Sequence, residues 1–127
     1  MAFLSVTGDW EGSTGLTALL DVQDIAFLEY DGRYNKVAIH TVEDEYYLTG
    51  TLKYWVHTLN SSGGMFLTVD RHCAVNAAKI KVLNALLRVG YFVDKPDQTS
   101  KFCTMSNSGY REVVDKVKEL QYAVAIV

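Results

Sequence analysis

Short apolar runs, each closed by a cluster of turn formers, govern what the first two thirds of this chain can become. Phe3 to Val6 and Leu16 to Leu20 flank the turn-rich segment GDWEGSTG, which predicts a hairpin with a generous loop. Ile25 to Tyr30 ends at Asp31-Gly32, a strong turn pair. Val37 and Ile39 then alternate with Lys36, Ala38 and His40, the period of two expected for a half-buried strand. Glu43-Asp44 turns the chain again, and Glu45 to Thr49 returns beside it. The first two thirds therefore read as short strands. They also fall below the roughly 18 apolar residues a membrane-spanning helix needs, so membrane insertion is not expected.

The pattern changes after Thr49. Leu52, Trp55, Val56 and Leu59 share one helical face, with Thr49 or Thr51 available as a cap and SSGG at 61 to 64 as the stop. Trp55 is expected in the core. Phe66 to Val69 and Cys73 to Val75 read as brief strands, and Asn76 to Lys79 as a turn. Lys81 to Val93 is expected to begin as helix or irregular chain and to end as a strand over Val89 to Val93. The polar loop DKPDQTS precedes a strand from Lys101 to Met105. Ser108 then caps a last helix that buries Tyr110, Val113, Val114, Val117 and Leu120. The apolar tail YAVAIV either packs on the body or meets a partner, since apolar surface left in water is costly.

At 127 residues the chain suits one domain with a real core. The start, MAFLSVTGDWEG, places no basic segment ahead of a sustained apolar one, so no signal peptide is expected. Two cysteines, Cys73 and Cys103, make no disulfide framework and fit a reduced, cytoplasmic setting as small buried hydrophobes. The net charge of -3 hides an uneven distribution. Residues 1 to 70 carry ten acids against three Lys or Arg, whereas residues 71 to 127 carry nine Lys or Arg against five acids. An uneven field of this kind can hold an anion on an acidic protein.

The motifs of catalysis and metal binding are missing. His40, His57, His72, Cys73 and Cys103 include no CxxC, HxxxH or HExxH pair, and His72 and Cys73 would diverge on a strand. Neither cysteine has a base placed to activate it, and GSTG lacks the lysine and spacing of a phosphate loop. No enzyme, metal or cofactor is expected. That leaves recognition for the stretch FLTVDRHCAVNAAKI, where Arg71 offers a fork of donors suited to phosphate or a guanine edge. The plainer alternative is that Arg71 pairs with Asp70 or another local acid and does nothing else.

Four ordered segments narrow the choice. DIAFLEYDGRYNKVAIHT, EYYLTGTLKYWVHTL, FLTVDRHCAVNAAKI and FCTMSNSGYREVVDKV together resemble the LytTR family of bacterial DNA-binding domains over about residues 22 to 120. The third segment is the most specific, through Phe66, Asp70-Arg71-His72, Val75-Asn76 and Ile80. The resemblance implies a mainly β fold, an elongated sandwich of small antiparallel sheets with two short helices. It makes residues 1–127 a single domain, with 121–127 an apolar C-terminal extension.

The resemblance also implies response-regulator-like control of transcription by loops that enter successive major grooves. Partners would be double-stranded DNA with paired promoter elements and a second copy in a homodimer; the apolar tail YAVAIV separately points to a protein reached through the C-terminal tail. The family's first contact loop falls on Arg33, Tyr34, Asn35 and Lys36, and its second on Asp70, Arg71 and His72. The third falls on Met105-Ser106-Asn107-Ser108, where many members read Val-Ser-Arg-Arg. Arg71 and Lys36 are then expected to hold the backbone, and Asn35, His72 and Asn107 to read bases. Lys79, Lys81 and Lys101 are expected to add positive charge nearby. An alternative reading is a protein-interaction module that regulates another factor without touching DNA.

Overall fold

The computed structural model describes residues 2–127. Seven strands form the larger sheet: β1 (Phe3–Thr7), β2 (Leu16–Asp21), β3 (Phe27–Asp31), β4 (Lys36–His40), β5 (Glu45–Thr49), β6 (Phe66–Asp70) and β7 (Cys73–Asn76). Their order is β2-β1-β5-β4-β3-β7-β6. Four shorter strands, β8 (Val82–Asn84), β9 (Val89–Tyr91), β10 (Phe102–Thr104) and β11 (Ala125–Ile126), form the second sheet in the order β10-β9-β8-β11. Helix α1 (Leu52–Ser61) follows β5, and α2 (Asn107–Glu119) follows β10. The chain is therefore mainly β with two helices, the class its short punctuated runs predict.

The larger sheet is covered on both faces. Leu28, Ile39 and Ala74 pack with Leu52 and Leu59 of α1 on one side. Phe27, Val69 and Val75 pack with Leu83, Cys103, Val113 and Val117 of the second sheet and α2 on the other. Successive side chains of a strand point to opposite faces, so Phe27 and Leu28 serve different cores. Cover on both faces is why β4 and β7 bury successive residues, Val37 to His40 and Ala74 to Asn76, where alternation would have left one face of β4 in water. Asn76 sits fully inside, where its Nδ2 donates to the Ile25 carbonyl at 2.9 Å and its Oδ1 accepts from Ala78 N–H at 3.2 Å. This pins the end of β7 to the start of β3.

The structure corrects several local expectations. Lys81 to Arg88 holds no helix: β8 and β9 form an antiparallel hairpin with Asn84 opposite Val89. Its tip exposes Leu86 and Leu87, which a helical spacing would have buried. Arg88 turns the chain in the left-handed region at φ 53°. The cap of α2 is Ser106, whose Oγ accepts from Gly109 N–H at 3.0 Å, two residues ahead of the expected Ser108. Leu120 lies beyond the helix and is exposed, and Trp55 is only half-buried, donating through Nε1 to the Thr49 carbonyl at 2.9 Å. The tail packs on the body by backbone pairing. β11 runs parallel to β8, with Ala125 opposite Val82, while Ile126 and Val127 stay exposed.

Candidate nucleic-acid interface

The β3–β4 turn builds the first of three neighbouring loops. Asp31 Oδ1 accepts from Arg33 N–H at 2.9 Å, and Tyr34 N–H donates to the Asp31 carbonyl at 3.3 Å. Asn35 closes the turn at φ 48°, a left-handed conformation that asparagine tolerates better than most residues. The exposed guanidinium of Arg33 is committed to Asp31 through two bonds, at 3.1 Å and 2.7 Å. These bonds hold the Asp31 carboxyl below its ordinary pKa range. Lys36 Nζ rests on Thr49 Oγ1 at 2.8 Å, a neutral partner that leaves its charge available.

Tyr30 joins this loop to the second. Its hydroxyl donates to Asn35 Oδ1 at 3.1 Å, and its backbone N–H donates to the His72 carbonyl at 2.8 Å. The Tyr30 and His72 rings lie 6.1 Å apart at 26°. The second loop, at the β6–β7 turn, exposes Asp70, Arg71 and His72. Asp70 turns its carboxylate back to His72 N–H at 3.4 Å, and Arg71 makes no ion pair among the described residues. The plain alternative of an Asp70–Arg71 pair does not hold, and Arg71 is free to meet an outside anion.

The third loop leans on the second through Val69. Both Ser106 N–H and Ser106 Oγ–H donate to the Val69 carbonyl at 2.9 Å. Gly109, buried in the first turn of α2, lies so close to Val69 that a β-carbon there would overlap its carbonyl. Only glycine lets the helix start approach β6 this closely. The result is one continuous edge: Asn35, then His72 and Arg71, then Ser106 and the exposed Asn107.

Of the eight residues singled out from sequence, six fall on this edge: Arg33, Asn35, Lys36, Arg71, His72 and Asn107. Lys79 does not. It lines a depression with Asp24, Glu43 and Asp44, at the end of β4 opposite the first loop. Lys81 lies at the end of the β8–β9 hairpin away from its tip, and its backbone N–H donates to the Tyr91 carbonyl at 2.8 Å. Lys101 is likewise remote, donating to the Asp44 carbonyl at 2.8 Å. Proximity along the chain misplaced all three, because each precedes or follows a strand that runs to the other end.

Sequence reasoning missed Arg88 and Arg111. Both border a depression with Asn107 and Tyr110, and the Arg88 carbonyl accepts from Met105 N–H at 2.9 Å. They supply positive charge beside the loop where 107 and 108 carry none. Arg111 could have been found as the residue one helical turn after Asn107. Arg88 could not, because it belongs to a hairpin that the apolar spacing disguised as helix.

Two other clusters carry polar chemistry. Cys73 and Cys103 remain free thiols, with Sγ atoms 3.0 Å apart between the two sheets. Their mutual hydrogen bond and burial push the Cys73 thiol well above its ordinary pKa, so it is a protonated core group. Glu29, His40 and Glu45 converge from three adjacent strands, with carboxylate oxygens 2.6 Å and 3.4 Å from His40 Nε2. The imidazole stacks on Phe27 at 4.1 Å. A dication there would compete with Lys101, whose charge already acts on Glu29. It would also require a proton on His40 Nδ1, which is buried without an acceptor. The cluster is read as a polar contact that joins three neighbouring strands.

The geometry can now be set beside known proteins. A search among curated proteins finds no match. Four solved chains match, including a LytTr DNA-binding domain from Bacillus cereus, belonging to a protein assigned as a methyl-accepting/DNA response regulator. The likeness has a TM-score of 0.66 at 14% identity and covers 93% of this chain and 97% of that one, which establishes a shared fold. The family model described as LytTr DNA-binding domain matches residues 16–118, from β2 almost to the end of α2 and across all three loops. With that much of the chain matched, this protein belongs to the LytTR DNA-binding domain family.

Proposed function

We propose that the domain binds double-stranded DNA sequence-specifically and regulates transcription, with its three loops entering successive major-groove stretches. One observation carries this reading. Three separate turns are held on a single edge by Tyr30 and the Val69 carbonyl, and Arg71, Arg88 and Arg111 stand there without ion-pair partners among the described residues. Arginine forks suit phosphate and guanine edges, whereas amides and imidazoles read bases without adding charge. Asn35 has its oxygen occupied by Tyr30, which leaves its amide nitrogen to donate to a purine N7. Asp24, Glu43 and Asp44 gather at the other end, away from the three loops, while Asp31, Asp70 and Glu112 stand on the edge among its cations.

Selection from a random duplex library, followed by fluorescence polarisation across salt, tests the reading. Wild type should recover paired elements, bound by two copies, and lose affinity steeply with salt. Arg71→Ala should flatten the salt dependence by about 0.9 in log–log slope if it meets one phosphate. Binding that ignores both salt and this substitution would overturn the mode.

A second reading has its own observation. Leu86 and Leu87 at the β8–β9 tip are 87% and 58% exposed, and the tip joins the exposed Val127 through Ala85 N–H to the Val127 carbonyl at 3.0 Å. Apolar surface gathered this way suits a protein partner or a second copy through the C-terminal tail. Leu86→Ser/Leu87→Ser should lower a concentration-dependent mass in light scattering if it does so. No helix among the described residues is long and apolar enough to cross a membrane.

A further inference from the structure

The geometry points to a phosphate seat outside the three loops: the groove between α1 and β6, where Lys53 and His57 hold the DNA backbone between the first and second loops. This inference rests on the DNA-binding reading and adds contacts to it. The groove has a volume of about 730 Å³. Leu52 and Val56 floor it, Lys53 and His57 rim it from the helix, and Arg71 rims it from the second loop. No carboxylate lines it, and none of the three basic side chains has an ion-pair or hydrogen-bond partner among the described residues.

Position argues for the duplex over any other occupant. Helix α1 starts at the loop edge, because Gly50 N–H donates to the Asn35 carbonyl at 3.1 Å and Thr49 receives Lys36. Lys36, Lys53, His57 and Arg71 therefore make one basic strip from the first loop to the second. The first turn of α1 holds no acid, so its dipole adds to that potential. A backbone crossing between two major-groove contacts must pass over the protein surface that joins them, and here that surface is this strip. The groove is open and carries no buried polar group aimed into it, which suits a strand lying across it better than an enclosed small molecule.

The test is polarisation with the duplex recovered by selection, at several salt concentrations, using Lys53→Gln, His57→Gln and the double variant beside Arg71→Ala. Lys53 and His57 side chains are exposed and bonded to nothing, so thermal melts should match wild type. Lys53→Gln should reduce the log–log salt slope by about 0.9, and a repeated selection should return the same elements. His57→Gln should weaken binding without altering base preference, because the ring N–H it removes faces the groove and not a base edge. If Arg71→Ala flattens the slope while Lys53→Gln and the double variant do not, the groove assignment fails and the loop reading stands. If no variant responds and no element is recovered, both fall. Chemical-shift changes at Lys53 and His57 on adding inorganic phosphate, with DNA slopes unaffected, would assign the groove to a free anion and overturn the proposal.

Discussion

Releasing Arg33 should strengthen DNA binding. Its guanidinium is 79% exposed and points from the first loop, yet both of its bonds go to Asp31. Asp31→Asn keeps an oxygen that can accept from the Arg33 amide and so preserves the turn, but removes the charge that holds the side chain. An exposed pair of this kind contributes little to stability, so the fold should not suffer. Five cations already stand free on that side: Lys36, Lys53, Arg71, Arg88 and Arg111. If each meets one phosphate, the log–log salt slope is about -4.5, and about -5.4 once Arg33 joins them. Between 50 and 200 mM salt the loss of affinity then grows from about 500-fold to about 1,800-fold. Fluorescence polarisation reads both the steeper slope and tighter binding at low salt. A slope unchanged or shallower, in a variant that melts like wild type, would mean that Arg33 does not face the duplex.

Other perturbations divide the surface and the scaffold. Arg88→Ala and Arg111→Ala should each weaken DNA binding at low salt, whereas Lys79→Ala, placed among acids at the far end, should leave it unchanged in the same assay. Gly109→Ala forces a methyl against the Val69 carbonyl, which should cost about 1–3 kcal/mol in denaturant unfolding and move the third loop away from the second. The hydrogen bond from His40 holds the Glu29 carboxyl below its ordinary value of 4.5, aided by charge and opposed by burial. A depressed carboxylate stabilises the fold above that value, and the contribution disappears as pH falls through the folded pKa. Glu29→Gln should therefore show a flatter loss of stability below pH 4.5 in acid titrations followed by circular dichroism.

Much of the site was legible because its parts are local. Asp31-Gly32 marks the first turn, and Arg71-His72 stands between two strands that read clearly as strands. Turn chemistry thus gives the first two loops, while the third rests on the family resemblance. The β8–β9 hairpin was not legible, because Leu83, Leu86 and Leu87 match a helical period as well as a strand followed by an exposed tip. With the hairpin hidden, Arg88 was invisible and Lys81 and Lys101 were placed by chain distance alone. The cap of α2 was read two residues late because Ser106 and Ser108 are both good caps, and only the Val69 carbonyl chooses between them.

The sequence by itself determined the strands of the larger sheet, the two helices and the turns between them, but not the β8–β9 hairpin. Periodicity and turn chemistry act over a few residues and need no partner. Tertiary structure alone decided which donors share an edge. Antiparallel pairing sends each strand's two ends to opposite sides of a sheet, so residues adjacent in the chain can finish far apart. Tyr30, Val69 and Gly109, none of them a donor to DNA in this reading, settle that the three turns become one surface.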